Sequence, residues 1–198
     1  NRIIAKHGLG GLRRTPFAGL IALMQQVGLG DSPISGYDVG FKLGPRINAA
    51  GRMANATEVV ELFLTADSTR ARRVAGELQD LNQERQQREA AIVRDILAQC
   101  SKEPVTDDQA ALVFAGDGWH RGVVGIVASR LVERFHRPVF VLSIDSEQGE
   151  AQGSGRSIPV FHLLDSLESM ASLLLRFGGH KQAAGLTLPA GRVPEFRE

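Results

Sequence analysis

Apolar residues recur with a helical period in the first third of this 198-residue chain and alternate between helical and strand periods in its last half. Over residues 1–64 the pattern predicts helices joined by glycine-rich connections. One helix covers Phe17–Met24, with Pro16 in its first turn and Gly28 as its end. Ser35 is a candidate N-cap for the next short helix. The first third therefore predicts a helical lobe.

A single long helix is predicted from Asp67 to about Gln99, where Gly76 is the only residue that disfavours helix strongly. Its middle, Asn82–Glu89, is polar at every position. A helix that is polar on all sides typically bridges two bodies through solvent. We therefore expect an exposed middle section and a domain boundary on this helix. The predicted domains are residues 1–65, a connecting helix over 66–104, and a second lobe over 105–198.

The apolar pattern of the second lobe predicts alternating strands and helices. Ala110–Ala115 predicts a strand, Val123–Phe135 an amphipathic helix, and Val139–Ile144 a β-branched strand. This order and spacing predict a βαβ unit with a right-handed crossover. The remaining elements, in order, are a glycine-rich segment at 151–157 that ends a further strand, a helix over Phe161–Leu175, a turn over Phe177–His180, a strand over Ala183–Leu188 and the start of a helix at 193–198.

The fold class predicted by these elements is α/β, with the helical end of a first lobe, one long connecting helix, and an α/β lobe that contains a mixed sheet. The chain starts without methionine and stops within a helical pattern. We therefore expect it to be part of a longer protein. The sequence favours no particular oligomeric state.

Charge and cysteine content narrow the function classes. The formal net charge is only +1, but arginines cluster in three stretches, Arg70–Arg73, Arg85–Arg94 and Arg121–Arg137. A near-neutral protein can still bind nucleic acid through a basic groove. Cys100 is the one cysteine, which excludes an internal disulfide and favours a cytoplasmic location. Apolar runs are too short for a membrane span, so we expect no membrane partner.

The segment Ala151–Ser157 carries the densest candidate chemistry. Glycines flank Ser154, Arg156 follows Gly155, and Ser157 closes the run. Glycine allows backbone N–H groups to approach an anion, and several such groups form a nest. An arginine fork matches phosphate oxygens, and serine hydroxyls add donors. The segment predicts a phosphate site, and a tight turn with a solvated arginine remains open as the alternative.

Three other segments combine glycine or small residues with cationic or amide side chains. Two interpretations of Leu43–Arg52 remain open. Its backbone packs close to an anionic ligand, or it forms a helix–helix corner in which the arginines pair with nearby carboxylates. The segment with His120 and Arg121 lies at a predicted strand-to-helix junction, where the helix N-terminus favours an anion. These segments contribute Arg46, Asn48 and Arg52, then His120 and Arg121, then Gly178, Gly179 and His180. Their recurrence at element ends predicts contact with phosphate or nucleic acid. No spacing of His, Cys, Asp and Glu resembles a metal site.

Four motifs resemble, in the same order, those of the RecJ family within the DHH phosphoesterase superfamily. They are LGPRINAAGR at 43–52, WHRGVVGIVASR at 119–130, GSGRS at 153–157 and FGGHKQAAG at 177–185. The family degrades single-stranded DNA from its 5′ end. The resemblance covers essentially the whole chain. It implies that residues 1–65 close a metal-dependent DHH lobe and that residues from about 105 onward form the DHH-associated, substrate-binding lobe.

The resemblance also implies roles for particular residues. Ser154 and Arg156 would hold the terminal phosphate of the DNA. Arg46 and His180 would face the phosphodiester near the catalytic centre, with Asn48 and Arg52 lining the same cleft. The Asp/His motifs that carry the family's Mn²⁺ or Mg²⁺ ions are absent from this sequence. We therefore expect the chain alone to bind no metal and to be catalytically inactive, while the full-length enzyme uses divalent ions.

Three other functions remain open from the sequence. A short-oligonucleotide or cyclic-dinucleotide phosphoesterase of the same superfamily shares the Gly-Gly-His element. A single-strand-binding module without catalysis fits the phosphate-binding segments, although such modules usually stack bases on several aromatic residues. A nicotinamide-cofactor fold is disfavoured, because the fingerprint that Gly153 and Gly155 would open lacks its third glycine and runs into Ile158-Pro159.

Overall fold

The computed structural model describes residues 1–30 and 33–198. The chain divides into two compact units, residues 1–86 and residues 87–198. No helix within the described residues is both long and apolar enough to cross a membrane. The predicted α/β class is confirmed, with a helical first unit and a five-stranded mixed sheet in the second.

The first unit is helical, as the apolar period predicts. Its helices are α1 (Arg2–Leu12), α2 (Ala18–Gln26), α3 (Gly44–Met53), α4 (Thr57–Leu64) and the first part of α5 (Ser68–Lys102). Its core is built mainly from leucines and alanines, with Leu23, Leu62 and Leu78 fully buried. Gly19 on α2 lies against the Leu62 backbone, where no side chain would fit.

The boundaries of α2 confirm one expectation and correct another. Gly28 follows the helix with a φ of +72°, a conformation that glycine adopts without strain, so it ends the helix as predicted. Pro16 is not in the first turn, because Phe17 is the N-cap and the helix begins at Ala18. The prediction for Pro16 was therefore wrong by two positions, within the usual uncertainty of helix ends.

Ser35 caps the next helical segment, as predicted. Its hydroxyl accepts from the Asp38 N–H at 3.2 Å, and the Asp38 carboxylate accepts from the Ser35 N–H at 3.0 Å. This reciprocal pair is a capping box. Hydrogen bonds from Lys42 and from Ser35 hold the pKa of Asp38 well below its ordinary value.

A π-helical stretch covers Asp38–Leu43 and leads directly into α3. Pro45 gives the physical reason, since it lacks an N–H and its ring would collide with the Phe41 carbonyl in a regular α-helix. The wider turn instead lets the Gly44 N–H bond to the Val39 carbonyl. The LGPRINAAGR motif thus starts at a change of helix type and continues as a helix.

α5 is a single helix of 35 residues, Ser68–Lys102, which confirms the predicted long helix. The expected exposed middle is confirmed in part: residues 83 and 86–88 are exposed, whereas Asn82 is 2% exposed and Glu89 is 1% exposed. Glu89 pairs with Arg130 of α6 at 2.5 Å between Oε1 and Nε, so its charge is compensated on burial. Polarity alone could not reveal this, since paired polar groups can be buried.

The two compact units meet within α5, between Gln86 and Gln87. The predicted assignment of residues 66–104 to a separate connector, between lobes at 1–65 and 105–198, stays a prediction.

The second unit is built on one mixed sheet. Strand order is β1-β2-β3-β5-β4, with β1 and β2 parallel and the other neighbours antiparallel. The strands are β1 (Leu112–Asp117), β2 (Val139–Asp145), β3 (Glu150–Arg156), β4 (Arg176–His180) and β5 (Ala183–Pro189). The helices are α6 (Arg121–Phe135), α7 (Leu163–Ser169) and α8 (Val193–Arg197). The predicted β1–α6–β2 unit is confirmed.

Two predicted elements of this unit need correction. The helix expected over Phe161–Leu175 is only α7, Leu163–Ser169, followed by a short 3₁₀ turn at Ala171–Leu173. The turn expected at Phe177–His180 is instead the edge strand β4, antiparallel to β5. Glycine pairs hide a strand from sequence patterns, because they carry no side chain whose alternation could be read.

The two faces of the sheet are covered differently. On one face, Phe140, Leu163 and Leu186 lie in a core that continues to Phe196 of α8. On the other face, α6 packs over β2 and β3 and buries Val123, Val124, Val127 and Leu131. The candidate site is composed of the strand residues whose side chains lie on the α6 face.

Candidate functional site

The glycine-rich segment at 151–157 is not a turn: it includes the end of a strand, as expected, and forms nearly all of β3 inside the sheet. Its alternation separates two kinds of residue. Gly153 and Gly155 face the core, where a side chain on Gly155 would meet Phe140 and Leu163. Ser154 and Arg156 occupy the opposite, α6 face.

The backbone of this segment does not form an anion nest. β3 pairs with β2 on one side and β5 on the other along its whole length, so its N–H groups belong to the ladders. The expectation that Gly155 presents its backbone to a ligand is corrected on this ground. Polar chemistry in the segment comes from the Ser154 and Arg156 side chains.

α6 makes room for these two side chains at Gly125. A side chain there would come within 2.9 Å of the Arg156 Nη2 atom and 3.3 Å of the Ser154 Oγ atom. The Arg156 Nη1 atom also donates to the Gly155 carbonyl at 2.8 Å. The helix and the strand thus hold the guanidinium in a defined position.

Register in the sheet brings the FGGHKQAAG motif beside the GSGRS motif. Opposite residues in antiparallel ladders share a face. On the α6 face, the three rows that cross β3, β5 and β4 are Arg156–Ala183–His180, Ser154–Gly185–Gly178 and Gln152–Thr187–Arg176. β5, which lies between β3 and β4, contributes only Ala183 and Gly185 to the first two rows. These small residues leave open space above the sheet between the polar side chains.

A groove of about 430 Å³ lies along these rows. It is lined by Arg121, Val124, Gln152, Gly153, Ser154, Arg176, Phe177, Gly178, Gly185, Leu186 and Thr187. Two arginines and no carboxylate are among these residues, so the groove favours an anion. The structure therefore brings together the predicted residues Arg121, Ser154 and Gly178.

Arg156 and His180 lie in the row next to the groove lining. His180 is exposed, and its Nδ1 atom accepts from the Gln182 N–H at 3.3 Å. An Nε2–H group of an imidazole ring can donate to a phosphate oxygen. Gly179 has a φ of +147°, and a side chain there would meet the Ala183 carbonyl at 2.4 Å, so only glycine fits.

Two predicted residues have structural tasks. The His120 Nδ1 atom accepts from the Gly122 N–H at 3.2 Å, which caps α6, and His120 lines a separate cavity of about 470 Å³ at the ends of β1 and β2. The Ser157 hydroxyl donates to the Phe161 carbonyl at 2.9 Å and so fixes the turn after β3. Direct contact of either residue with a phosphate stays a prediction.

In the first unit, the predicted residues lie on different sides of α3. Arg46 is half-buried, with its Nε donating to Gln79 Oε1 at 2.7 Å and its Nη1 to the Lys42 carbonyl at 2.6 Å. Burial lowers the pKa of Arg46 from its ordinary value, although an arginine stays charged. Asn48 and Arg52 are exposed and share a face one turn apart. Their roles stay predictions.

Several groove residues were missed by sequence reasoning. Arg176, Gln152 and Thr187 form one row of the groove, and Gly125 admits the Arg156 side chain. Arg176 directly precedes Phe177 and the Gly-Gly-His element. This position next to a predicted site could have identified Arg176 as a site residue. Gln152 and Thr187 could be found only from strand register.

No group of three or more His, Cys, Asp or Glu side chains in the described residues is arranged to hold a metal ion.

The fold and groove define a known class of domain. Residues 107–198 match the family model of the DHHA1 domain. The whole chain is a homologue of the single-stranded-DNA-specific exonuclease RecJ, which confirms the resemblance carried by the four motifs. It is 45% identical to RecJ of Bacillus subtilis, covering all of this chain and 25% of that protein.

Solved structures agree. A Mg²⁺ complex of RecJ from Thermus thermophilus superposes with a TM-score of 0.86 at 38% identity, over 100% of this chain and 30% of that one. A manganese-bound exonuclease RecJ gives 0.85 at 37% identity, over 100% and 48%. The chain thus spans a quarter to about a half of these relatives.

Proposed function

We propose that this chain is part of a metal-dependent 5′–3′ exonuclease specific for single-stranded DNA, and that it holds the phosphates of the strand. One observation carries the proposal. Ser154, Arg121 and Arg176 line one groove that has no carboxylate among its lining residues, with Arg156 in the adjoining row. Homology to RecJ along the whole chain supports single-stranded DNA as the polyanion. It also favours the exonuclease over a short-oligonucleotide phosphoesterase or a non-catalytic binding module.

Ser154 and Arg156 hold the 5′-terminal phosphate in this proposal. The guanidinium presents two parallel donors to the phosphate oxygens, and the hydroxyl adds a third donor. Gly178 and Gly185 keep the sheet surface low enough for the strand to approach. Gly155, Ser157 and His120 support the site by packing and capping, and Gly179 shapes β4.

Arg46 and His180 supply positive charge or hydrogen bonds where negative charge accumulates on the reacting phosphodiester. Asn48 and Arg52 line the path of the strand. In the intact enzyme, Mn²⁺ or Mg²⁺ ions held by other residues would supply an activated water and stabilise the leaving oxygen. The proposed location is the cytoplasm, and the partner is single-stranded DNA.

The proposal is tested by separating binding from cleavage. We expect the intact protein that carries this chain to release mononucleotides from a single strand labelled at its 3′ end, with Mn²⁺ or Mg²⁺ present, from the 5′ end onward. We expect the 198-residue chain alone to release none, because its described residues hold no metal cluster. Metal-dependent cleavage by the purified chain, or 3′-to-5′ cleavage by the intact protein, would contradict the proposal.

A second test uses the residue that makes room for the site. Gly125→Ala places a methyl group 2.9 Å from the Arg156 Nη2 atom, so the guanidinium must move. We expect affinity for a 5′-phosphorylated strand to fall several-fold, with stability unchanged or raised by up to about 1 kcal/mol, because alanine favours helix over glycine. The measurements are fluorescence anisotropy and thermal unfolding.

Gly76→Ala on α5 is the matched control. A side chain at Gly76 meets nothing within 4 Å, so this variant gains helix propensity without touching the site. It should bind as the unmodified protein does. If Gly125→Ala also binds normally, Arg156 does not need its observed position, and the proposed phosphate contact is wrong.

A further inference from the structure

One end of the groove lies too far from Arg156 to share its phosphate. Arg176 and Arg156 are separated by two rows along the strands and by one intervening strand, β5. Four residues of strand correspond to about 13 Å, and two strand spacings add about 9–10 Å across the sheet. A single phosphate group cannot bridge the two guanidinium groups.

This end of the groove is built for an anion of its own. Arg176 is exposed, and its side chain has no ion pair or hydrogen bond within residues 1–30 and 33–198. Arg121 also lines the groove, but its charge is paired with Asp145 at 3.1 Å, so the subsite depends on Arg176. Gln152 and Thr187 add an amide and a hydroxyl to the lining.

We propose that Arg176, with Gln152 and Thr187 of the same row, forms a second phosphate subsite, which binds an internal phosphodiester of the strand whose 5′ phosphate lies at Arg156. The inference rests on the proposed function, since it takes single-stranded DNA as the ligand. A polyanion can engage Arg156 in one row and Arg176 in another, and no carboxylate is among the residues that line the groove. Contact at the second subsite makes affinity depend on strand length, because a mononucleotide reaches only the Arg156 end.

The test compares two ligands and three variants in the intact protein that carries this chain. The ligands are a 5′-phosphorylated thymidine mononucleotide and a 5′-phosphorylated oligothymidylate of a dozen nucleotides, without metal ions. The variants are Arg176→Gln, Arg176→Lys and Arg192→Gln. Arg192 is a matched control, because it is a surface arginine of the same unit that pairs with Glu195 and lies outside the groove lining.

We expect Arg176→Gln to weaken oligonucleotide binding about tenfold, the lower end for a hydrogen bond to a charged group. It should leave mononucleotide binding unchanged. The slope of log K against log salt should become shallower by about 0.7, which corresponds to one phosphate contact on a single strand. Arg176→Lys should keep the slope of the unmodified protein, and Arg192→Gln should change neither quantity.

The outcomes separate this inference from the proposed function. Unchanged oligonucleotide binding by Arg176→Gln would overturn the second subsite and leave the proposed function standing. Equal losses for mononucleotide and oligonucleotide would overturn it too, because Arg176 would then belong to the end pocket. If the unmodified protein binds no single strand, both the proposed function and the subsite are wrong.

Discussion

Arg156→Ala should weaken binding of a 5′-phosphorylated single strand by about 1.5–3 kcal/mol, the range for a hydrogen bond to a charged group. Its guanidinium is fixed between Gly125 of α6 and the Gly155 carbonyl, so it presents its donors without reorganisation. A strand that ends in a 5′-hydroxyl should lose much less, because the arginine has no terminal phosphate to bind. The measurement is a pair of dissociation constants at fixed salt, since ionic strength alone shifts such affinities.

Companion variants identify which feature of the residue matters. Arg156→Lys should not restore affinity, because an ammonium cannot present two parallel donors. Ser154→Ala should follow the same end dependence with a smaller loss of about 0.5–1.5 kcal/mol. His180→Ala should lower single-turnover rates for both kinds of end if it faces the bond that is cut. Equal losses for both ends with Arg156→Ala would make it a general backbone contact.

Gly153→Ala should produce the largest loss of stability among substitutions in the glycine-rich segment. The added methyl group would lie 2.2 Å from the Val141 carbonyl oxygen and 2.9 Å from the Leu142 Cα atom. Both are backbone atoms of the neighbouring strand β2, so the sheet itself must shift. We expect the free energy of unfolding to fall by about 1–3 kcal/mol, the range for overpacking. Denaturant unfolding measures the loss.

Gly185→Ala is the matched control on the adjacent strand. A side chain at Gly185 has only the Gly153 carbonyl oxygen near it, at 3.8 Å. The free energy of unfolding should therefore change by no more than about 0.5 kcal/mol. If Gly153→Ala were as stable as this control, the segment would not be packed as a central strand, and the face assigned to Ser154 and Arg156 would be wrong.

The sequence predicted the α/β class, the long helix and the β1–α6–β2 unit, because their apolar periods are long and regular. It could not predict β4, whose two glycines carry no pattern and whose strand conformation depends on pairing with β5. The burial of Glu89 was also out of reach, since its partner Arg130 is distant in sequence.

The candidate site was predicted in its composition more than in its geometry. Ser154, Gly178 and Arg121 were expected and do line one groove. The glycines of 153–157 were expected to form an anion nest, yet they serve close packing against β2 and the core. Only the register of three strands shows that Ser154 and Arg156 share a face with His180 and Arg176.

The central claim is that the Ser154–Arg156 end of the groove binds the terminal phosphate of a single strand. Its most direct test is the affinity of the unmodified intact protein for two strands of identical sequence that differ only in a 5′ phosphate or a 5′ hydroxyl. We expect the phosphorylated strand to bind about tenfold more tightly or better, as for a charged hydrogen-bonded pair. Equal affinities for the two strands would contradict it.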